Sequence, residues 1–164
     1  MPNRLLPRSL KILHTLGAVG TLGALAACLV LVMTAPREPL TAYAAVRVGI
    51  ATIARFLLVP SLMLVLLSGL LSLAANTAYL DAGWAWVKAL LGVTMFEGTL
   101  LSVAGSARRA AELAALAASG SPDPVALAEA VRTERGGLWL MIALSVANIV
   151  LGIWRPRFGG RRST

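Results

Sequence analysis

Four long apolar runs decide what this chain can fold into. They occupy approximately residues 12–35, 56–76, 84–106 and 137–154. Each is close to the roughly 20 residues that carry a helix across about 30 Å of hydrocarbon. No alternating polar and apolar pattern accompanies them, and an open sheet would leave backbone groups unpaired in lipid. The expected fold class is therefore all-α: a polytopic membrane protein with four transmembrane helices in a bundle, forming one domain over residues 1–164. With 58% hydrophobic and only 13% charged residues, and a mean hydropathy of +0.80, the chain lies outside the usual balance of a water-soluble domain.

The segments between the runs refine this picture. "REPLTAYAAVRVGIATIAR" reads as a helix that surfaces and then continues into the second span, with a kink at Pro60. "TAYLDAGWAW" is a short turn that places Tyr79, Trp84 and Trp86 as an interfacial aromatic belt. Residues 107–136 form the longest connection. It opens with the amphipathic "ARRAAELAALA", breaks at "SGSPDP" and resumes as "VALAEAVRTER", the pattern of two surface helices. Residues 155–164 are a basic tail.

Charge and cysteine usage narrow the setting. The 15 basic and 7 acidic residues give a net charge of +8, and the basic residues flank apolar runs, so anionic lipid head groups are the expected partner. Lys and Arg counts on the two sides nearly tie, leaving orientation open. Cys28, the single cysteine, excludes an internal disulfide and a cysteine-based metal cage. "LAAC" at residues 25–28 matches the end of a lipoprotein signal, but the apolar run continues as "LVLVM", so the segment is expected to persist as the first span. The expected location is the inner membrane, as a multi-pass protein.

Polar groups at membrane depth are the candidate functional residues, because a charge near the bilayer centre costs about 3 kcal/mol on insertion scales. His14, Lys88 and Glu97 qualify. His14 shares a helical face with Gly17, Ala18 and Thr21, small side chains that either admit a flat ligand or let another helix pack closely. Lys88, near the start of "GWAWVKALLGVTMFEG", is a functional cation or a lysine that snorkels to the head groups. Glu97 sits deeper, and a separation of nine positions puts the two on opposite faces. It serves as a proton acceptor or as a hydrogen-bonding pin, with Thr94, Ser68, Ser72 and Asn148 as candidate partners.

Three of the four spans also carry a family likeness. "LKILHTLG" in the first, "PSLMLVLLSG" in the second and "GWAWVK" opening the third resemble the bacterial integral-membrane protoporphyrinogen oxidases of the HemJ type and their small four-helix relatives. The resemblance implies an oxidoreductase acting on a tetrapyrrole, with haem b as cofactor. It also implies a functional histidine in the first helix and a functional lysine opening the third, at the positions of His14 and Lys88. On this reading His14 is the iron ligand and haem lies in the gap at Gly17 and Thr21. Lys88 engages a propionate, while Glu97, which has no counterpart in the family pattern, is a catalytic proton acceptor or a structural pin. One histidine per chain leaves a methionine, a water or a second subunit for the other axial position, and a homodimer would also supply the walls of a pathway. A non-enzymatic bundle or a small transport subunit is the alternative.

Other chemistries find no support in the pattern. "GAVGTLG" lies inside an apolar span with no strand before it, unlike a dinucleotide-binding loop. Asp81 and Asp123 fall in loops away from His14, which argues against a serine-protease-like triad. Nucleic-acid binding lacks a basic surface with interleaved aromatics.

Overall fold

A computed structural model describes residues 5–75 and 83–154. Tyr79 of the expected aromatic belt and the tail at 155–164 lie outside the described residues. Four helical rods make up the described residues, and no strand occurs among them. Helix α1 is Leu5–Thr34, α2 is Leu40–Ala74, α3 is Gly83–Ala118 and α4 is Pro124–Trp154. All four are long and apolar enough to cross a membrane. The class expected from the sequence, an all-α four-helix bundle of transmembrane type, is the one observed.

Local chemistry accounts for the rods and their ends. Hydroxyls inside apolar helices donate to the carbonyl one turn back: Thr15 to Lys11, Thr34 to Val30, Thr52 to Val48, Ser72 to Ser68 and Ser145 to Met141. Their own helix thus satisfies groups that lipid could not. Helix α3 stops at Gly120, whose φ of 94° suits glycine. There the Ser121 N–H donates to Leu116 O and the Gly120 N–H to Ala117 O, closing a Schellman motif. Helix α4 then starts at once, with Pro124 as its first residue and the Asp123 carboxylate accepting the Ala126 N–H at 3.0 Å.

Two helices change register partway. In α2 the stretch Ala54–Leu58 is π-helical, directly before Pro60, which has no N–H and whose ring crowds the turn behind it. The Val59 N–H reaches back five residues to Ala54 O, so a widened turn accommodates the proline that the sequence marked as a kink. Thr99–Gly105 in α3 is likewise π-helical, with no proline beside it, and the two widened turns touch.

The connection between the third and fourth spans differs from expectation. Residues 106–118 continue α3 through its π turn, and residues 124–136 are the beginning of α4. Only 119–123 form a turn, so the helices run past 106 and begin before 137. The amphipathic segments are not separate helices. They extend the rods, and α2 and α3, with 35 and 36 residues, are about 50 Å long, well beyond a hydrocarbon core. Their apolar faces pack on one another, Leu40–Ile53 against Ser106–Ala118 and that against α4.

The chain passes up, down, up, down, so the start of α1, the end of α2, the start of α3 and the end of α4 gather at one end, here the terminal end. Tight packing lies toward the opposite end. Leu25, Cys28, Ile50, Leu58, Val103 and Leu138 are buried there with Met141. Outward faces carry Leu16, Val19, Phe56, Leu71, Leu90, Leu101 and Ile153, all exposed, as contact with lipid tails requires.

Candidate functional site

A crevice of about 800 Å³ opens at the terminal end between all four helices. That volume falls in the roughly 300–1,000 Å³ range of small-molecule pockets. Lys11 and His14 reach it from α1, Ser72 from α2, Trp84 and Lys88 from α3, and Asn148 from α4, with leucines and glycines between them. Beneath it a smaller cavity of about 90 Å³ shares His14, Lys88 and Asn148 and adds Thr21, Met95 and Ser145. The structure therefore brings the two residues singled out on separate spans, His14 and Lys88, to one opening.

His14 is held from one side. Its Nδ1 lies 3.1 Å from Val65 O and 3.2 Å from Ser68 Oγ, both on α2. A carbonyl only accepts, so Nδ1 carries a proton, and in the neutral ring this leaves the lone pair on Nε2. Ser68 stays in place because its hydroxyl donates to Leu64 O at 2.6 Å. The half-buried ring also rests over Gly69, where a Cβ would stand 3.6 Å from Cε1.

Lys88 is half-buried, and its ammonium lies against Gly152, where a Cβ would come within 2.8 Å of Nζ. Gly152 is close to the end of α4, so the side chain runs toward the terminal end. A snorkelling lysine takes that direction too, and here the route passes along the crevice wall.

Two expectations are corrected. The gap for a flat ligand at Gly17 does not exist: Gly17 is buried against α2, and a Cβ there would meet Ser61 O at 2.8 Å and Val65 at 2.9 Å. Gly17 is a helix crossing, as small residues often are in membranes. Thr21 is buried as well, but it faces the inner cavity, and its Oγ1 has no partner among the described residues. Glu97 is not in the crevice either. It lies exposed on the outward stripe of α3 with Leu90, Val93 and Leu101, away from Ser68, Ser72 and Asn148. Its separation from Lys88 by half a helix turn is as the spacing required.

An ion pair that the sequence reading missed lies at the other end of the bundle. The Arg47 guanidinium donates to the Glu134 carboxylate, joining α2 to α4. The two side chains are 1% and 0% exposed, so this is a charge pair taken wholly out of water. A signal was present: Arg47 stands three residues from both Ala44 and Ile50, which share its buried face. Arg47 Nε and Glu134 Oε1 have no further partner among the described residues.

The donor set decides which cofactor fits. Among the described residues no three His, Cys, Asp or Glu side chains gather around a possible metal ion. Haem needs less, since one imidazole from the protein is enough to hold its iron. The crevice provides one in His14, whose Nδ1 is engaged by Val65 O and Ser68 Oγ and whose Nε2 has no hydrogen-bond partner among the described residues, and the crevice is of the small-molecule size that a large apolar ring would need. Met95 lines only the inner cavity, which is too small for such a ring, so the methionine does not face His14 across the outer crevice. No protein-family model, curated protein or solved structure matches the chain.

Proposed function

We propose that this is an inner-membrane protein that binds haem b in the terminal crevice and acts in the oxidation of a tetrapyrrole of the protoporphyrinogen class. One observation carries the reading: His14, its Nδ1 fixed by Val65 O, shares a crevice of small-molecule size with Lys88. His14 would hold the iron through Nε2, and Val65 O would set the ring's tautomer and orientation, as outer-shell acceptors do for ligating histidines. Lys88 would pair with a propionate as a point charge, Lys11 would add a second cation at the mouth, and the apolar walls would exclude water from the ring. Bound haem supplies one-electron transfer.

The test is the visible absorption spectrum of protein purified in mild detergent from a haem-replete host. A Soret band lost in His14→Ala and retained with weaker haem affinity in Lys88→Gln is the expected result, and it leads to an assay of protoporphyrinogen oxidation. A wild-type protein that stays colourless after added hemin overturns the proposal. The second reading then leads: a non-enzymatic bundle, favoured by the closure of Gly17 against α2, with Lys11 and Lys88 gripping anionic head groups.

A further inference from the structure

Glu97 is the residue that this structure leaves most exposed to cost. It stands fourteen residues after Gly83, about 21 Å along α3, on a stripe that is otherwise Leu90, Val93, Thr94 and Leu101. Counted from the terminal end, that depth lies inside a hydrocarbon layer of roughly 30 Å. Ionisable side chains in membranes almost always face the bundle interior. Glu97 faces outward, and among the described residues it has no hydrogen-bond or ion-pair partner. A glutamate is also too short to reach the head groups from there.

One other charged side chain breaks the apolar surface of the neighbouring helix. Arg55 is exposed on α2, nineteen residues before Ala74, about 28 Å from the terminal end. Its guanidinium lies 5.3 Å from the centroid of the exposed Phe56 ring, against an apolar surface rather than an acid, and no described carboxylate pairs with it. Arg55 and Glu97 thus have opposite sign, lie on adjacent helices whose π turns touch, and differ in depth by about 7 Å, which a long arginine side chain spans.

We propose that the α2–α3 face is the interface with a second copy of this chain, in which Glu97 of each copy pairs with Arg55 of the other. Two copies inserted in the same orientation are related by an axis along the membrane normal, which keeps every residue at its own depth. The same contact then forms twice. A guanidinium–carboxylate pair matches planar donors to planar acceptors and suits a desolvated interface better than a lysine would. Lipid covers the rest of the outward surface, which is apolar.

The experiment is energy transfer between two fluorophore-labelled populations of the full chain, co-reconstituted in liposomes over a series of lipid dilutions. Wild type is expected to associate. Glu97→Leu and Arg55→Leu are each expected to weaken association at least about tenfold, since removing one member of a desolvated pair strands the other. The double charge swap Glu97→Arg with Arg55→Glu is expected to restore it. Both positions are exposed in the monomer, so unchanged circular dichroism serves as the folding control. A wild type monomeric at every dilution, a Glu97→Leu chain as associated as wild type, or a swap that fails to restore association overturns the proposal. Haem content does not enter this test, so its failure is separate from that of the function proposed above.

Discussion

At Gly17 the choice between a ligand cradle and a helix crossing rests on a single missing Cβ. Ser61 O, a backbone atom that cannot rotate away, would stand 2.8 Å from an added Cβ at Gly17. At Gly20 the obstacle is the Ser61 hydroxyl, 2.5 Å away but on a side chain that can turn. At Gly23 nothing lies within 4 Å. The alanine series should therefore be graded. Gly17→Ala forces α1 from α2 at about 1–3 kcal/mol, as overpacking does, Gly20→Ala costs less, and Gly23→Ala is neutral or slightly stabilising because alanine is the better helix former. Melting temperatures in one detergent rank the three, and equal values would mean that α1 does not cross α2 at Gly17. The same position explains what the sequence left ambiguous. His14 and Lys88 were legible as candidates because a titratable group inside an apolar run is conspicuous. Glycine at helical spacing has two physical uses, and only the partner helix's position separates them.

At the scale of elements, the interruptions in α2 and α3 come where apolar spans give way to amphipathic extensions. The four spans were legible from hydropathy alone, since each apolar run is as long as a membrane is thick. Their continuation was not. The helical period of "ARRAAELAALA" gives a helix with one apolar face, but nothing in it says whether the axis bends onto the membrane or runs straight on through a π turn. The pairing of Arg47 with Glu134 was hidden for a related reason: the two are 87 residues apart, and Glu134, between Arg132 and Arg135, reads as part of a solvated face. Their pair joins the extensions of α2 and α4. Removing one partner strands a buried charge, so Arg47→Leu and Glu134→Leu should each destabilise by about 3–5 kcal/mol, while the double variant Arg47→Leu with Glu134→Leu should lose less than either. Unfolding by SDS titration from a mild detergent measures the cycle. Additive losses in the double variant would show that the two side chains do not depend on each other.

For the whole molecule, packing is uneven from end to end, and this places the candidate site. The extensions and π turns form a tight core at one end, while the terminal end opens into the crevice that His14 and Lys88 share. A ligand there would enter from the side of the membrane on which α1 starts and α4 ends, because four crossings bring the end of α4 back to the face where α1 starts. That arrangement is testable without knowing the ligand. Ser9, on the first turns of α1, and Ser121, in the turn before α4, are both exposed but belong to opposite ends of the bundle, with Glu38 on the side of Ser121. Native Cys28 is fully buried and should stay silent to a membrane-impermeant maleimide. Single cysteine replacements Ser9→Cys, Glu38→Cys and Ser121→Cys should therefore label from one face at residue 9 and from the other face at residues 38 and 121. Labelling of 9 and 121 from the same face would require an odd number of crossings between α1 and the α3–α4 turn to be lost, and the crevice would then no longer be a four-helix site.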